Sequence, residues 1–111
     1  MSLKYTLIAP LIVPKLKKGL NSPTMKNFCF YWHRNTGEQT VEFTDADGTH
    51  LNTGQISITE IMHDKVGNRL IDLLDGLYQG WDNMYGIIDI EKRKITLIFK
   101  QNGNTIGIRT Y

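Results

Sequence analysis

The strongest constraint on the fold is the last third of the chain, where apolar and polar side chains alternate over residues 84–90, 94–100 and 105–110. Because the side chains of a β-strand point alternately to its two faces, this period of two predicts three strands. Three residues separate the first two segments, and Asn102-Gly103, a pair typical of tight hairpins, separates the last two. Such short turns join antiparallel neighbours, so we expect an antiparallel meander.

Two earlier segments add strands to this sheet. Residues 26–34 alternate and carry several aromatic side chains, with Phe28, Phe30 and Trp32 on one face. The opposite face of this segment is also largely apolar, which predicts a central strand or one packed on both sides. Residues 40–44 predict a further strand with alternating side chains.

The secondary structure near the N-terminus and before residue 60 is defined less sharply by the pattern. Residues 5–9 and 55–59 are each compatible with a short strand. Pro10 and Pro14 cannot donate to a strand ladder, so they bar a central strand beyond residue 9. A short helix that starts near either proline and ends at Gly19 is the other interpretation of this region.

One long amphipathic helix is predicted over residues 60–81. Its apolar positions recur every three or four residues, and Thr59 or Ser57 precedes it as an N-cap. The apolar stripe is formed by Met62, Val66, Leu70, Leu73, Leu77 and Trp81. The whole pattern predicts a single α+β domain over residues 1–111, an antiparallel sheet of about five strands with one long helix packed on one face.

Several classes of protein are excluded by what the sequence lacks. No apolar run reaches the roughly 18 residues of a transmembrane helix, and no signal peptide is apparent, so we expect a cytoplasmic protein. A single cysteine, Cys29, cannot form an internal disulfide, and the three histidines lack metal-ligand spacing. No nucleophile–base pair or cofactor motif is present. We therefore expect a non-enzymatic protein without cofactor or metal.

The acidic residues are unevenly distributed, although the net charge is only +2. All eleven of them lie between residues 36 and 91. In the predicted helix, polar residues lie opposite the apolar stripe at Glu60, Asp64, Asn68, Asp72, Asp75, Gln79 and Asp82. A stripe of negative charge would attract a basic protein partner. The simpler interpretation is that these residues form a helix face exposed to solvent. Asp45 and Asp47, in a predicted turn, form a second acidic cluster.

The order of elements in the second half resembles the immunity proteins of bacterial toxin systems, including those of contact-dependent growth inhibition. The resemblance rests on a helix over residues 70–78 that leads through Trp81 into strand, charged turn and strand over residues 85–100. It implies a non-catalytic protein that binds and neutralises one cognate toxin domain, often a nuclease, in the cytoplasm. A basic nuclease would suit the acidic residues, which would occlude its active site.

The alternative prediction is a small nucleic-acid-binding module. It would use the aromatic strand at residues 27–34 as a stacking platform, next to the basic N-terminal residues Lys15, Lys17 and Lys18. The consensus of RNA-recognition sheets is absent, and aromatic residues on both faces of a strand are also typical of a core.

Overall fold

The structure, a computed structural model, describes residues 3–20, 24–35, 38–45 and 56–111 and has an α+β architecture. Its elements are α1 (Leu3–Lys17), β1 (Asn27–Asn35), β2 (Glu38–Thr44), β3 (Ile56–Ser57), α2 (Ile58–Ile61), α3 (Lys65–Leu77), β4 (Asn83–Asp89), β5 (Lys94–Gln101) and β6 (Asn104–Thr110). Within these ranges, six strands form one antiparallel sheet in the order β3-β2-β1-β4-β5-β6. The predicted class and sheet type are confirmed, with one strand more than the expected five.

The meander of the last three strands forms as the alternation predicts. Asn102 and Gly103 adopt φ values of 51° and 82°, the left-handed backbone that a tight two-residue hairpin needs at both positions. Beyond the end of β6, Tyr111 and Ile95 exchange two backbone hydrogen bonds of 2.8 and 3.0 Å. The period of two and the turn residues together define this half of the sheet.

One face of the sheet carries the hydrophobic core. The register places the aromatic residues of β1 beside apolar residues of both neighbouring strands, with Phe30 opposite Phe43 and Trp32 opposite Met84. Residues from α1 and α3 close the core over this face. Fully buried side chains from the three layers include Ile8, Ile12, Leu16, Leu70, Leu74, Phe28, Phe30, Trp32, Phe43, Met84 and Phe99.

The strand predicted at residues 5–9 is wrong, because these residues belong to helix α1. Both prolines lie inside this helix, where each removes a backbone donor. Pro10 and Pro14 are exposed, whereas a buried stripe at helical spacing, Tyr5, Ile8, Ile12 and Leu16, packs into the core. The free energy gained by burying this stripe offsets the loss of those backbone hydrogen bonds. This burial cannot be recognised from the local sequence pattern. No helix in the described ranges is both long and apolar enough to cross a bilayer.

The single long helix predicted over residues 60–81 is also wrong, because the chain forms α2 and α3 with a break at residues 62–64. Asp64 caps α3 through a hydrogen bond of 2.9 Å from the Gly67 N–H to its Oδ1. A Cβ on Gly67 would lie 2.7 Å from the Cβ of Met62, so the close turn between the helices requires glycine there. The short strand predicted at residues 55–59 is reduced to β3, since α2 begins at Ile58.

The buried side of α3 matches the predicted stripe only in part. Its buried residues are Gly67, Leu70 and Leu74, whereas Val66 and Leu73 are 43% and 36% exposed. The helix therefore packs through Leu70 and through Leu74, which was expected to widen the stripe, and not through Val66 and Leu73.

Candidate functional site

The acidic residues predicted to form one binding stripe lie on more than one element of the fold, and Asp64 stands at the start of α3. Its carboxylate caps α3 and forms an ion pair with Lys15, whose side chain is only 7% exposed. The hydrogen bond from Lys15, together with that from the Gly67 backbone, lowers the pKa of Asp64 to about 2. Asp64 thus joins α1 to α3, and its negative charge already has a partner within the fold.

Asp75 and Asp82 also have partners within the fold. Asp75 pairs with Arg34 at 2.7 Å between Oδ1 and Nη1. Asp82 lies beyond the end of α3 and accepts hydrogen bonds of 2.9 Å from the Asn83 side chain and from the Asn102 backbone. These bonds, that from Asn102 first, lower the pKa of Asp82. Asp82 therefore holds the tip of the β5–β6 hairpin.

The remaining predicted residues are not gathered into one surface. Glu60 is exposed on α2, Asp72 is exposed on α3, and Asp45 is half-buried just after β2. Asp47 lies outside the described residues. The predicted stripe does not run unbroken from Glu60 to Asp82 along one helix, because the helix is interrupted at residues 62–64 and Asp82 lies beyond its end.

The aromatic strand proposed for nucleic-acid stacking faces mostly into the protein. Phe28, Phe30 and Trp32 of β1 are 2%, 0% and 0% exposed. The remaining aromatic ring of the strand, Tyr31, lies on the opposite face. Since a base must reach a ring face in order to stack, β1 offers only the partly exposed rings of Tyr31 and His33 and not a platform.

The opposite face of the sheet is the largest feature of the surface, because the described helices all join the core on the other side. The register aligns its side chains in rows across five strands. The middle row, taken from β2 to β6, is Glu42, Tyr31, Tyr85, Ile98 and Ile108. The next row is Thr44, Cys29, Ile87, Thr96 and Thr110. We call these two rows the open face.

The open face has an apolar and aromatic centre, unlike the polar outer face usual for an antiparallel sheet. The rings of Tyr31 and Tyr85 are adjacent, with centroids 4.5 Å apart. Ile87 and Ile108 are 41% and 56% exposed. A hydrogen bond with Cys29 and partial burial raise the pKa of Tyr85 to about 12, so its phenol stays neutral over the physiological range.

A chain of polar contacts fixes one border of the open face. His33 Nε2 lies 3.0 Å from Glu42 Oε2, and His33 Nδ1 lies 2.6 Å from Asn83 Oδ1. The Asn83 Nδ2 donates to Asp82 Oδ1, which fixes the orientation of the Asn83 amide. The His33 ring also stacks on Tyr31 at 6.0 Å between centroids. These contacts hold the border of the face in one arrangement before any partner binds.

The described side chains do not assemble an evident catalytic or metal centre. Both nitrogens of His33 are engaged, and Cys29, a possible nucleophile, is buried. No group of three histidine, cysteine, aspartate or glutamate residues within the described ranges is arranged to hold a metal ion. The open face is suited to contact another molecule over a broad area.

A second apolar surface lies between α1 and α3 on the helical side. It is a groove of about 430 Å³ lined by Leu7, Leu11, Arg69, Asp72 and Leu73. Leu7 is 62% exposed at its rim. The groove includes Asp72, the predicted site residue of α3, and is spatially separate from the open face because the sheet lies between them.

Comparison with known proteins adds no assignment, since no family model matches the chain, and no curated protein or solved structure is significantly similar to it.

Sequence reasoning did not identify the open face. Alternation did place Tyr31 and Tyr85 opposite the core residues of their strands. The pairing of the two rings depends on the register between β1 and β4, strands separated by about fifty residues of chain. A signal was available in β4 and β5, where Ile87 and Ile98 occupy positions that alternate with buried residues and are themselves apolar.

Proposed function

We propose that this protein is a non-catalytic binding protein that neutralises a cognate bacterial toxin domain in the cytoplasm of the producing cell. The observation that carries the proposal is the open face, a rigid sheet surface with adjacent tyrosines and exposed isoleucines at its centre. Tyrosine is enriched at protein interfaces, and binding energy concentrates in central aromatic residues surrounded by polar ones. The layout resembling immunity proteins agrees with this role.

The open face supplies the parts that a stable interface needs. Tyr31 and Tyr85 would be the central anchors, because each presents a large ring with a hydroxyl group. Thr96 and Thr110 of the neighbouring row would supply hydrogen bonds around them, whereas Thr44 of that row is buried. The contacts of His33 with Glu42 and Asn83 keep the border ordered, which lowers the conformational entropy lost on binding.

Inhibition would follow from steric occlusion of the toxin active site by this broad surface. Glu42, at the β2 end of the middle row, would face a basic residue of a nuclease toxin. Asp45, Asp47, Glu60 and Asp72 remain proposed contributors to the rate of association, since charges outside the contact surface also add to the field that steers a basic partner. Asp64, Asp75 and Asp82 keep their contacts within the fold and are assigned structural roles.

The test pairs this protein with the toxin domain encoded beside its gene. Co-expression should restore growth to cells producing that toxin, and the purified proteins should form a complex. Ile87→Arg, on the open face, should weaken the complex by roughly 30-fold or more, as expected for loss of a central contact. The matched control is Leu7→Arg, in the α1–α3 groove, which should leave affinity within about threefold because surface changes are small energetically.

Two outcomes would reject the proposal or its surface. Failure of wild-type protein to bind the neighbouring gene product and protect cells from it would reject toxin neutralisation. Loss of binding in Leu7→Arg with retention in Ile87→Arg would move the interface to the groove. Steeply salt-dependent binding to a single-stranded oligonucleotide, in place of a protein complex, would favour the nucleic-acid alternative.

A further inference from the structure

Strand β6 ends the sheet, and in the described ranges no strand pairs with its outer side. We propose that this edge pairs antiparallel with β6 of a second copy of the chain, so that two six-stranded sheets become one continuous sheet. The inference is independent of the toxin-binding role, because it concerns the edge of the sheet and needs no other partner.

The backbone groups that point outward from β6 follow from its pairing with β5. Tyr111 and Ile95 bond each other reciprocally, and successive residues of an antiparallel strand alternate between bonding one neighbour and the other. Arg109, opposite Leu97, therefore bonds inward. Ile108 and Thr110 direct their N–H and C=O groups away from β5, where a second strand can accept and donate hydrogen bonds.

Over residues 107–110 the edge carries few of the features that ordinarily prevent strand pairing. Natural edge strands are shortened, charged or interrupted by proline. Strand β6 has seven residues, Asn104–Thr110, and Arg109 is its single charged side chain. Thr105, Ile108 and Thr110 are exposed, Ile108 at 56%, whereas Ile106 and Gly107 are half-buried. The one irregularity is a register shift against β5 between Phe99 and Lys100, near the start of β6.

A twofold axis at Ile108 is the pairing that uses the regular part of β6. It makes Ile108 of the two copies a hydrogen-bonded pair with two backbone hydrogen bonds, and sets Thr110 opposite Ile106 of the second copy, the residue that the register with β5 skips. An axis at Arg109 would instead place two arginines opposite each other, which is unfavourable. An axis at Thr110 would overlap only the last few described residues.

The same axis joins the two open faces. Since Ile108 ends the middle row, pairing places the two Ile108 side chains side by side and extends that row across both copies. On the other side of the sheet, Arg109 lies opposite Gly107 of the second copy. The Tyr78 ring occupies the space above Gly107, so Arg109 of the second copy would meet that ring. No like charges meet along the paired strands.

Sedimentation or light-scattering measurements on the full chain test the association. Concentrations from about 5 to about 500 µM should show a monomer–dimer equilibrium, as expected for a small interface. Ile108→Lys places two ammonium groups at the axis and should weaken dimerisation by at least tenfold. Ile87→Lys is the matched control, an exposed isoleucine of the same face on interior strand β4, and should dimerise as the wild type does.

Each result decides the proposal. A wild-type chain that stays monomeric over the whole range overturns it. Loss of dimer in Ile87→Lys overturns it as well, because the copies would then associate through the open face itself. Thermal unfolding of both variants checks that each remains folded.

Cysteine cross-linking supplies a second test that does not depend on the lysine variants. Ile108→Cys should form an intermolecular disulfide on mild oxidation, because paired Cα atoms lie about 5.5 Å apart. Thr110→Cys should not, because four residues of offset place its two copies roughly 14 Å apart. Buried Cys29 is present in both variants and serves as an internal control. The assigned register is overturned if Ile108→Cys and Thr110→Cys cross-link equally well, or if neither variant cross-links.

Discussion

Arg34 Nη1 lies 2.7 Å from Asp75 Oδ1, an ion pair that ties the end of β1 to α3. The guanidinium carbon of Arg34 lies 3.7 Å from the centroid of the Trp81 ring, which is 2% exposed. Trp81 in turn packs edge-on against Trp32 and Phe99, at 5.7 and 5.9 Å between centroids. Asp75 therefore positions a cation against the centre of the core, on the side of the sheet away from the open face.

Replacement of Asp75 should reduce stability, whereas replacement of its neighbour on α3 should not. Asp75→Asn removes the charged partner of Arg34, and we expect the free energy of unfolding to fall by about 1 kcal/mol. Asp72→Asn, on the exposed surface, should change it by less than about 0.5 kcal/mol. Urea denaturation of both variants measures the difference. Equal values for the two would show that the Arg34 contact contributes nothing to stability.

Asp64 should make the fold sensitive to acid. Its pKa falls to about 2 on folding, from about 4 in an unfolded chain, so the ionised form stabilises the fold above about pH 4. That stabilisation is lost as the pH falls from about 4 to about 2. Asp64→Asn keeps a side chain able to cap α3 but loses the charge opposite Lys15.

Melting temperatures of wild type and Asp64→Asn, measured from pH 7 to pH 2, check this expectation. The wild type should melt higher near neutral pH, and the difference should shrink below pH 4. A difference that is independent of pH would contradict a charge-based role for Asp64.

Gly86 should not tolerate a side chain, because a Cβ there would lie 2.1 Å from Cε1 of Phe30. Phe30 is fully buried, so its ring cannot move aside without disturbing the core. We expect Gly86→Ala to lower the free energy of unfolding by roughly 1–3 kcal/mol.

The control for Gly86 is Gly76, an exposed residue of α3 where an added Cβ would meet no atom within 4 Å. Alanine is the better helix former, so Gly76→Ala should raise stability by up to about 1 kcal/mol. Chemical denaturation of both variants gives the comparison. Destabilisation of similar size at both positions would refute the packing argument.

Tyr85 should contribute to stability at alkaline pH. Its pKa rises from 10.0 to about 12, so the neutral phenol stabilises the fold below about pH 10. This contribution is lost as the pH rises from about 10 to about 12. Tyr85→Phe removes the titrating group, and its stability should fall less steeply over that interval. Absorbance titration of the folded proteins should show that the variant has one phenol fewer that ionises above pH 10. An unchanged titration would exclude Tyr85 as the residue with the raised pKa.

Much of the sheet could be predicted from local pattern, whereas the helical layer could not. Alternation and the Asn102-Gly103 turn are properties of neighbouring residues, so the strands of the second half and the buried face of β1 followed from them. Helix α1 contains Pro10 and Pro14, and its apolar stripe became visible only once its burial against the sheet was known. The break before α3 depends on Met62 lying across Gly67, a contact that composition does not reveal.

The sequence by itself determined the α+β class and the strands of the meander, because a period of two is set by backbone geometry. The tertiary structure decided where the charges and rings meet. Residues distant in the chain came together as Lys15 with Asp64 and Tyr31 with Tyr85. Such pairs depend on strand register and helix placement, which are set by the packing of the whole core rather than by any local run of residues.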